Sequence, residues 1–306
     1  MIIGTRGSKL AITQANIVKE LMEKEGVKST IKTIQTQGDI ITDKPLYQLQ
    51  GVGVFVRELD AKLYANEIDI AVHSMKDIPS IRPDKLSIAA VLLRDSPYDI
   101  LLTHDNVSID DLDDGSIIGT SSMRRRAQLL RHRPDLNIQD IRGNIDTRLN
   151  KLNQGLYDGI VIAKAGLERM GLNISGEVLS SDLFCPSPNQ GTIAIATKSN
   201  SEYNFNLLKL NHMQTKIETE IERTLISLVE SGCSIPIASF AKVEGDEIYV
   251  KAEVLSLDGA DFVYVEDILS LENYQEEALC LAQELVNVGG AELIKEEIQK
   301  CIISYE

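Results

Sequence analysis

Apolar positions along the chain fall into short continuous runs and into helical i, i+3, i+4 stripes, and the two kinds alternate. Residues 2–6, IIGTR, read as a strand. The stripe in SKLAITQANIVKELMEKEG reads as an amphipathic helix capped by Ser8 and stopped by Gly26. β-branched residues alternating with polar ones in STIKTIQTQGD give a second strand. A glycine-containing stretch, LQGVGVF, leads into a helix in VRELDAKLYANE. IDIAVHS is a buried strand whose end runs into MKDIP, and LSIAAVLL and DILLTHD are further strands. Strand, turn and helix then recur three times, in SIIGTSSMRRRAQLLRHRPDL, NIQDIRGNIDTRLNKLNQG and YDGIVIAKAGLERMG.

This alternation indicates an α/β architecture of two lobes, each with a largely parallel sheet. The first lobe spans 1–95 and takes back 191–210, where GTIAIATK supplies a returning strand; the second spans 98–190. From about residue 213 the pattern changes to a helix, TKIETEIERTLISLVESG, and an antiparallel meander with EGDE and LDGAD turns. A long helix closes this third, α+β domain over 213–306, built on a small antiparallel sheet.

Composition adds exclusions. A chain of 306 residues with 43% hydrophobic and 25% charged residues is ordinary globular material. No apolar run approaches the roughly 20 residues that span a bilayer. The start, MIIGTRGSKLAITQ, lacks the features of a signal peptide, so a cytoplasmic protein is expected. The third domain supplies a core of its own, and a monomer is expected. A net charge of −15 argues against nucleic acid and anionic membrane as partners. Within that acidic chain, residues 120–148 hold seven of the 13 arginines against three aspartates, which points to a small polyanionic ligand.

The four cysteines, Cys185, Cys233, Cys280 and Cys301, form no C-x-x-C pair and have no histidine at zinc-ligand spacing, so neither a metal site nor a disulfide framework is expected. Cys280 and Cys301 lie in helical pattern and are expected to pack. Cys233, in VESGCSIPIAS, sits in a small-residue loop that presents the thiol instead of burying it.

The arginines recur at strand ends. In GTSSMRRRAQLL, Thr120, Ser121 or Ser122 caps a helix whose first turn carries Arg124 and Arg125. That placement opposes the helix dipole and makes sense as an anion pocket. IRGNIDTRL repeats it with Arg142 and Arg148, Arg169 follows the third strand, and Arg6 with Ser8 follows the first. α/β sheets bind ligands at the carboxyl ends of their strands. AVHSMKDIP delivers His73, Lys76 and Asp77 to another such end, with Asp77 placed for proton transfer or cation stabilisation.

HSMKD, GTSSMRRRAQL, IRGNIDTRL, YDGIVIAKAGLERMG and SGCSIPIAS, in this order, closely resemble the porphobilinogen deaminase (hydroxymethylbilane synthase) family, and the resemblance covers essentially the whole chain. It implies two lobes like those of type II periplasmic binding proteins, with the active-site cleft between them, and a third domain. It also implies a dipyrromethane cofactor, made from the substrate porphobilinogen and held by thioether to Cys233. The implied reaction condenses four porphobilinogen molecules with loss of ammonia, then releases hydroxymethylbilane by hydrolysis. By the same resemblance Asp77 is catalytic and also touches the cofactor. Lys76, Ser122, Arg124, Arg125 and Arg148 hold cofactor carboxylates. Arg6, Ser8, Arg142, Arg148, Arg169 and Gln190 bind the substrate and the growing chain. The family's glycine-rich loop commonly reads G-G-K-G-L-F-V-K, whereas this chain has QGVGVFVRE, with Val52 and Arg57 where the family has lysines.

Two other functions compete on the residues alone. A non-catalytic anion-binding protein on the same scaffold needs the arginines but neither Asp77 nor Cys233. A cysteine hydrolase needs an activated histidine near Cys233 and leaves the arginines unexplained.

Overall fold

A computed structural model describes residues 1–36, 38, 53, 55–79, 82–229 and 235–303. The first elements are β1 (Ile2–Arg6), α1 (Lys9–Lys24), β2 (Thr30–Ile34), α2 (Arg57–Tyr64), β3 (Ile70–Ser74), β4 (Leu86–Val91) and β5 (Asp99–Thr103). Next come β6 (Ile117–Gly119), α3 (Met123–His132), β7 (Asn137–Gln139), α4 (Ile145–Asn153), β8 (Gly159–Ala163), α5 (Lys164–Arg169), β9 (Glu177–Val178) and β10 (Ile193–Lys198). The chain continues with α6 (Asn204–Leu210), α7 (Met213–Ser227), β11 (Ile237–Glu244), β12 (Glu247–Leu255), β13 (Phe262–Ser270), α8 (Tyr274–Leu285) and α9 (Ala291–Ile303). None of the described helices is long and apolar enough to cross a membrane.

The residues separate into two compact units: Met1–Ser96 with Ala165–Asn173 and Gln190–Ile217, and Pro97–Lys164 with Ile174–Asn189 and Glu218–Glu306. In the first, the sheet order is β2-β1-β3-β10-β4, with β1, β2 and β3 parallel and β10 antiparallel to both its neighbours. GTIAIATK therefore does return to the first lobe, as β10. Ile70 and Val72 of β3 pack with Val18 and Met22 of α1, while Ala71 packs on the opposite face with Leu59 and Leu63 of α2. A strand covered on both faces must be apolar where it is covered, which is why Ile70, Ala71 and Val72 show no alternation.

The second unit repeats this plan in the order β7-β6-β8-β5-β9, with β6 parallel to β7 and β8, and β5 antiparallel. Both sheets are mixed, where the βα alternation predicts largely parallel ones. The antiparallel strands are β10, which the chain forms on returning to the first unit, and β5, the first strand of the second, so neither is joined to a preceding strand of its own sheet by a βα crossover within the unit. The second unit also contains the antiparallel sheet β11-β12-β13, with α8 packed on β13. The single closing helix expected from sequence is two helices. Gly289 takes φ 106 between α8 and α9, a left-handed conformation that breaks the helical path.

Two cysteine expectations fare differently. Cys280 is exposed on α8 instead of packed, because α8 turns Ala278, Leu281, Ala282 and Leu285 inward. The side chain of Cys301 lies outside the described residues. Cys185, to which the sequence assigned no role, is fully buried beside Ala238 and Phe240.

Candidate functional site

In the first unit, β1 and β3 are adjacent parallel strands, so the segments leaving their carboxyl ends share one edge of the sheet. β1 ends at Arg6, whose guanidinium lies over the Phe55 ring at 3.8 Å. Ser8 caps α1 by accepting a hydrogen bond from the Ala11 amide. β3 ends in a 3₁₀ turn, Met75–Asp77, that leaves Lys76 exposed and Asp77 half-buried. Lys76 Nζ donates to Gln190 Oε1 at 3.1 Å, and Arg94 Nε donates to the Gln190 carbonyl at 2.9 Å. His73, on β3 just before this turn, is buried, and its Nε2 has no hydrogen-bond partner. Burial, reinforced by the charges of Arg82 and Arg6, lowers its pKa to about 3, so the imidazole is neutral. Arg169 Nε pairs with Asp95 Oδ2 at 2.7 Å, and its Nη2 donates to the Gly191 carbonyl.

In the second unit, β6 and β7 deliver the remaining candidates. The cap of α3 is Ser122, which accepts from the Arg125 amide. Arg124 and Arg125 follow in the first turn, both buried, and two cations at a helix N-terminus need a compensating charge. Asp99, at the head of β5, supplies it: its two oxygens accept from Arg124 Nη2 at 2.7 Å and Arg125 Nη2 at 2.8 Å. Burial pushes the Asp99 carboxyl up, and the two guanidinium groups override that, leaving it well below the usual carboxylate range. Arg142 follows β7, and Arg148 lies in α4, with its Nε donating to the Gly143 carbonyl. Burial, then the charges of Arg125 and Arg142, lower the Arg148 pKa to about 10, against a small opposing effect of Tyr157. The site therefore holds concentrated positive charge that repels itself.

A ligand with several carboxylates fits these residues. The Arg125 Nε is a buried donor with no hydrogen-bond partner, and Arg148 carries an electrostatic penalty that an anion would relieve. Cys233 and Val52 lie outside the described residues, while Arg57 is exposed at the head of α2.

Sequence reasoning missed Asp99, Gln128 and Glu253. Gln128 Nε2 donates to Glu253, whose other oxygen accepts from Arg131 Nη1 at 2.9 Å. The available signal was an acid heading the apolar strand DILLT and another inside EIYVKAEVL. A carboxylate in such a strand requires a buried partner.

Residues 1–206 match the family description "Porphobilinogen deaminase, dipyromethane cofactor binding domain", and residues 216–287 match "Porphobilinogen deaminase, C-terminal domain". The chain belongs to the porphobilinogen deaminase family. Similar curated proteins include the probable porphobilinogen deaminase of Methanococcoides burtonii, 54% identical over 97% of each chain. That of Methanosarcina acetivorans is 54% identical over 97% of this chain and 95% of its own. The porphobilinogen deaminase of Syntrophomonas wolfei is 41% identical over 96% of this chain and 97% of its own. Membership carries with it the transferase activity and the dipyrromethane cofactor that the motifs imply.

Proposed function

We propose that Asp77 is the catalytic residue of this transferase, that Cys233 anchors the dipyrromethane, and that the arginine clusters bind the carboxylates of cofactor, substrate and product. The observation that carries this reading is the buried Arg125 Nε that has no hydrogen-bond partner, beside Arg148, a cation that burial and the charges of Arg125 and Arg142 disfavour.

When bound, the dipyrromethane supplies the nucleophilic pyrrole carbon from which the chain grows. Porphobilinogen carries an acetate and a propionate arm, and Arg6, Ser8, Arg142, Arg148, Arg169 and Gln190 form its binding set. Loss of ammonia leaves a cationic azafulvenium. Asp77 accepts a hydrogen bond from the pyrrole N–H, and its negative charge stabilises the cation as it develops. His73, neutral beside that turn, adds no competing positive charge. The family resemblance puts Lys76, Ser122, Arg124, Arg125 and Arg148 in the cofactor-carboxylate set. The pairing of Lys76 with Gln190 and of Arg169 with Asp95 supports roles for Gln190 and Arg169 exerted partly through their neighbours.

The same reading has three domains, 1–95 with 191–210, 98–190 and 213–306. The separate family match over 216–287 supports the last of these. It also has a cytoplasmic monomer acting without nucleic acid or membrane, in keeping with the charge of −15.

The test is the denatured intact mass of the purified chain after incubation with porphobilinogen, followed by peptide mapping. A mass excess of two linked pyrrole rings on Cys233, with turnover lost in Asp77→Ala, is expected. No mass gain would overturn the anchor, and unchanged turnover in Asp77→Ala would return the chain to the anion-binding alternative.

A further inference from the structure

Arg124 and Arg125 are neighbours in sequence and share one counter-ion, yet their remaining donors go to different places. Arg124 Nη1 donates to Gln128 Oε1 at 2.8 Å and to the Cys185 carbonyl at 2.9 Å, while Nη2 takes Asp99. Gln128 Nε2 reinforces this by donating to the same Cys185 carbonyl at 2.8 Å. Arg124, Gln128, Asp99 and Glu253 are all at most 5% exposed, so this network is closed to solvent. Arg125 spends Nη1 on the Val161 carbonyl at 2.9 Å and Nη2 on Asp99, and keeps a buried Nε with no partner. Its charge, with that of Arg142, is one that Arg148 feels, so Arg125 belongs electrostatically to the anion-binding group.

We infer that Asp99 is a positioning residue of this site: one oxygen locks Arg124 into a structural strut, and the other aims Arg125 so that its Nε is offered to a cofactor carboxylate. The family resemblance gives both arginines the same task, and the hydrogen bonds divide it. Asp99 also makes the arrangement possible, since two buried guanidinium groups in one helical turn repel strongly without a carboxylate between them. This inference rests on the reading that the arginine cluster binds the dipyrromethane.

The experiment compares thermal melting of the cofactor-free protein with that of the protein loaded by porphobilinogen. Loading is checked by intact mass, and wild type, Asp99→Asn, Arg124→Gln and Arg125→Gln are measured. The readout is the gap between loaded and free forms, since a purely structural residue lowers both equally and leaves the gap unchanged. The gap is expected to shrink by half or more in Asp99→Asn and Arg125→Gln. In Arg124→Gln both forms should melt lower by a similar amount, with the gap kept. Should Asp99→Asn give no folded protein, Asp99→Asn with Arg124→Gln, which keeps the charge balance, replaces it under the same criterion. An undiminished gap without Asp99, or a gap in Arg124→Gln reduced as far as in Arg125→Gln, overturns the division of roles. A wild-type gap of zero would instead remove the cofactor-binding reading itself.

Discussion

Replacing Arg148 by glutamine should make the cofactor-free protein more stable while impairing its ability to hold cofactor. The Arg148 guanidinium falls well below its usual range, to about 10, in the folded chain, through burial and the charges of Arg125 and Arg142. Each tenfold loss in proton affinity is about 1.4 kcal/mol, so charging this side chain in the fold costs on the order of 3 kcal/mol. Glutamine removes that cost and forfeits the hydrogen bond to the Gly143 carbonyl, worth about 1 kcal/mol. The net expectation is a gain of about 2 kcal/mol, or a midpoint about 4–8 °C higher for a unit of this size. The sign follows from the direction of the shift. A cation whose folded pKa is depressed destabilises the fold at every pH below the folded value, and relief begins only as pH rises through about 10. The full effect is therefore present at pH 7. Urea titration of cofactor-free wild type and Arg148→Gln measures it directly. With porphobilinogen supplied, the order should reverse, because wild type gains the ligand and the variant binds it poorly. A cofactor-free Arg148→Gln protein no more stable than wild type would refute the idea that this cluster is held under electrostatic strain.

His73 should dominate part of the acid sensitivity. Its folded pKa of about 3 lies below the unfolded 6.5, so the unfolded chain takes up a proton first. Stability should fall by about 1.4 kcal/mol per pH unit as pH drops from 6.5 toward 3. His73→Gln should flatten that slope in urea midpoints measured across the range. Gly191 has φ 87, and a Cβ there would lie 2.6 Å from the Asp95 carbonyl oxygen and 2.9 Å from that of Ser96. Gly191→Ala should therefore cost at least about 2 kcal/mol in the same assay. Brief iodoacetamide treatment of the native protein should label Cys280 and spare Cys185, which is buried and whose thiol burial pushes well above its usual range. Peptide mass mapping reads the outcome, and labelling of native Cys185 would contradict its placement in the core.

Much of the architecture is written in local pattern. The stripe after Ser8, the apolar residues of IDIAVHS and the strand-turn-helix triplets became α1, β3 and the elements around β6, β7 and β8, because each depends on periodicity and capping within a few residues. The positions of Asp77 and the arginines at strand ends were legible for the same reason. What local pattern leaves open is the partner of each charge. Asp99 lies 25 residues before Arg124, Asp95 lies 74 before Arg169, and Lys76 lies 114 before Gln190. These pairs exist only because β5 inserts beside β8 and β10 beside β3, and strand order is chosen by burial across the whole sheet. The same burial turned Cys280 outward, since only one stripe of α8 can face its sheet. A run of seven arginines thus announces an anion site, but which guanidinium is a strut and which keeps a donor for the ligand depends on the carboxylates and carbonyls that folding brings beside it.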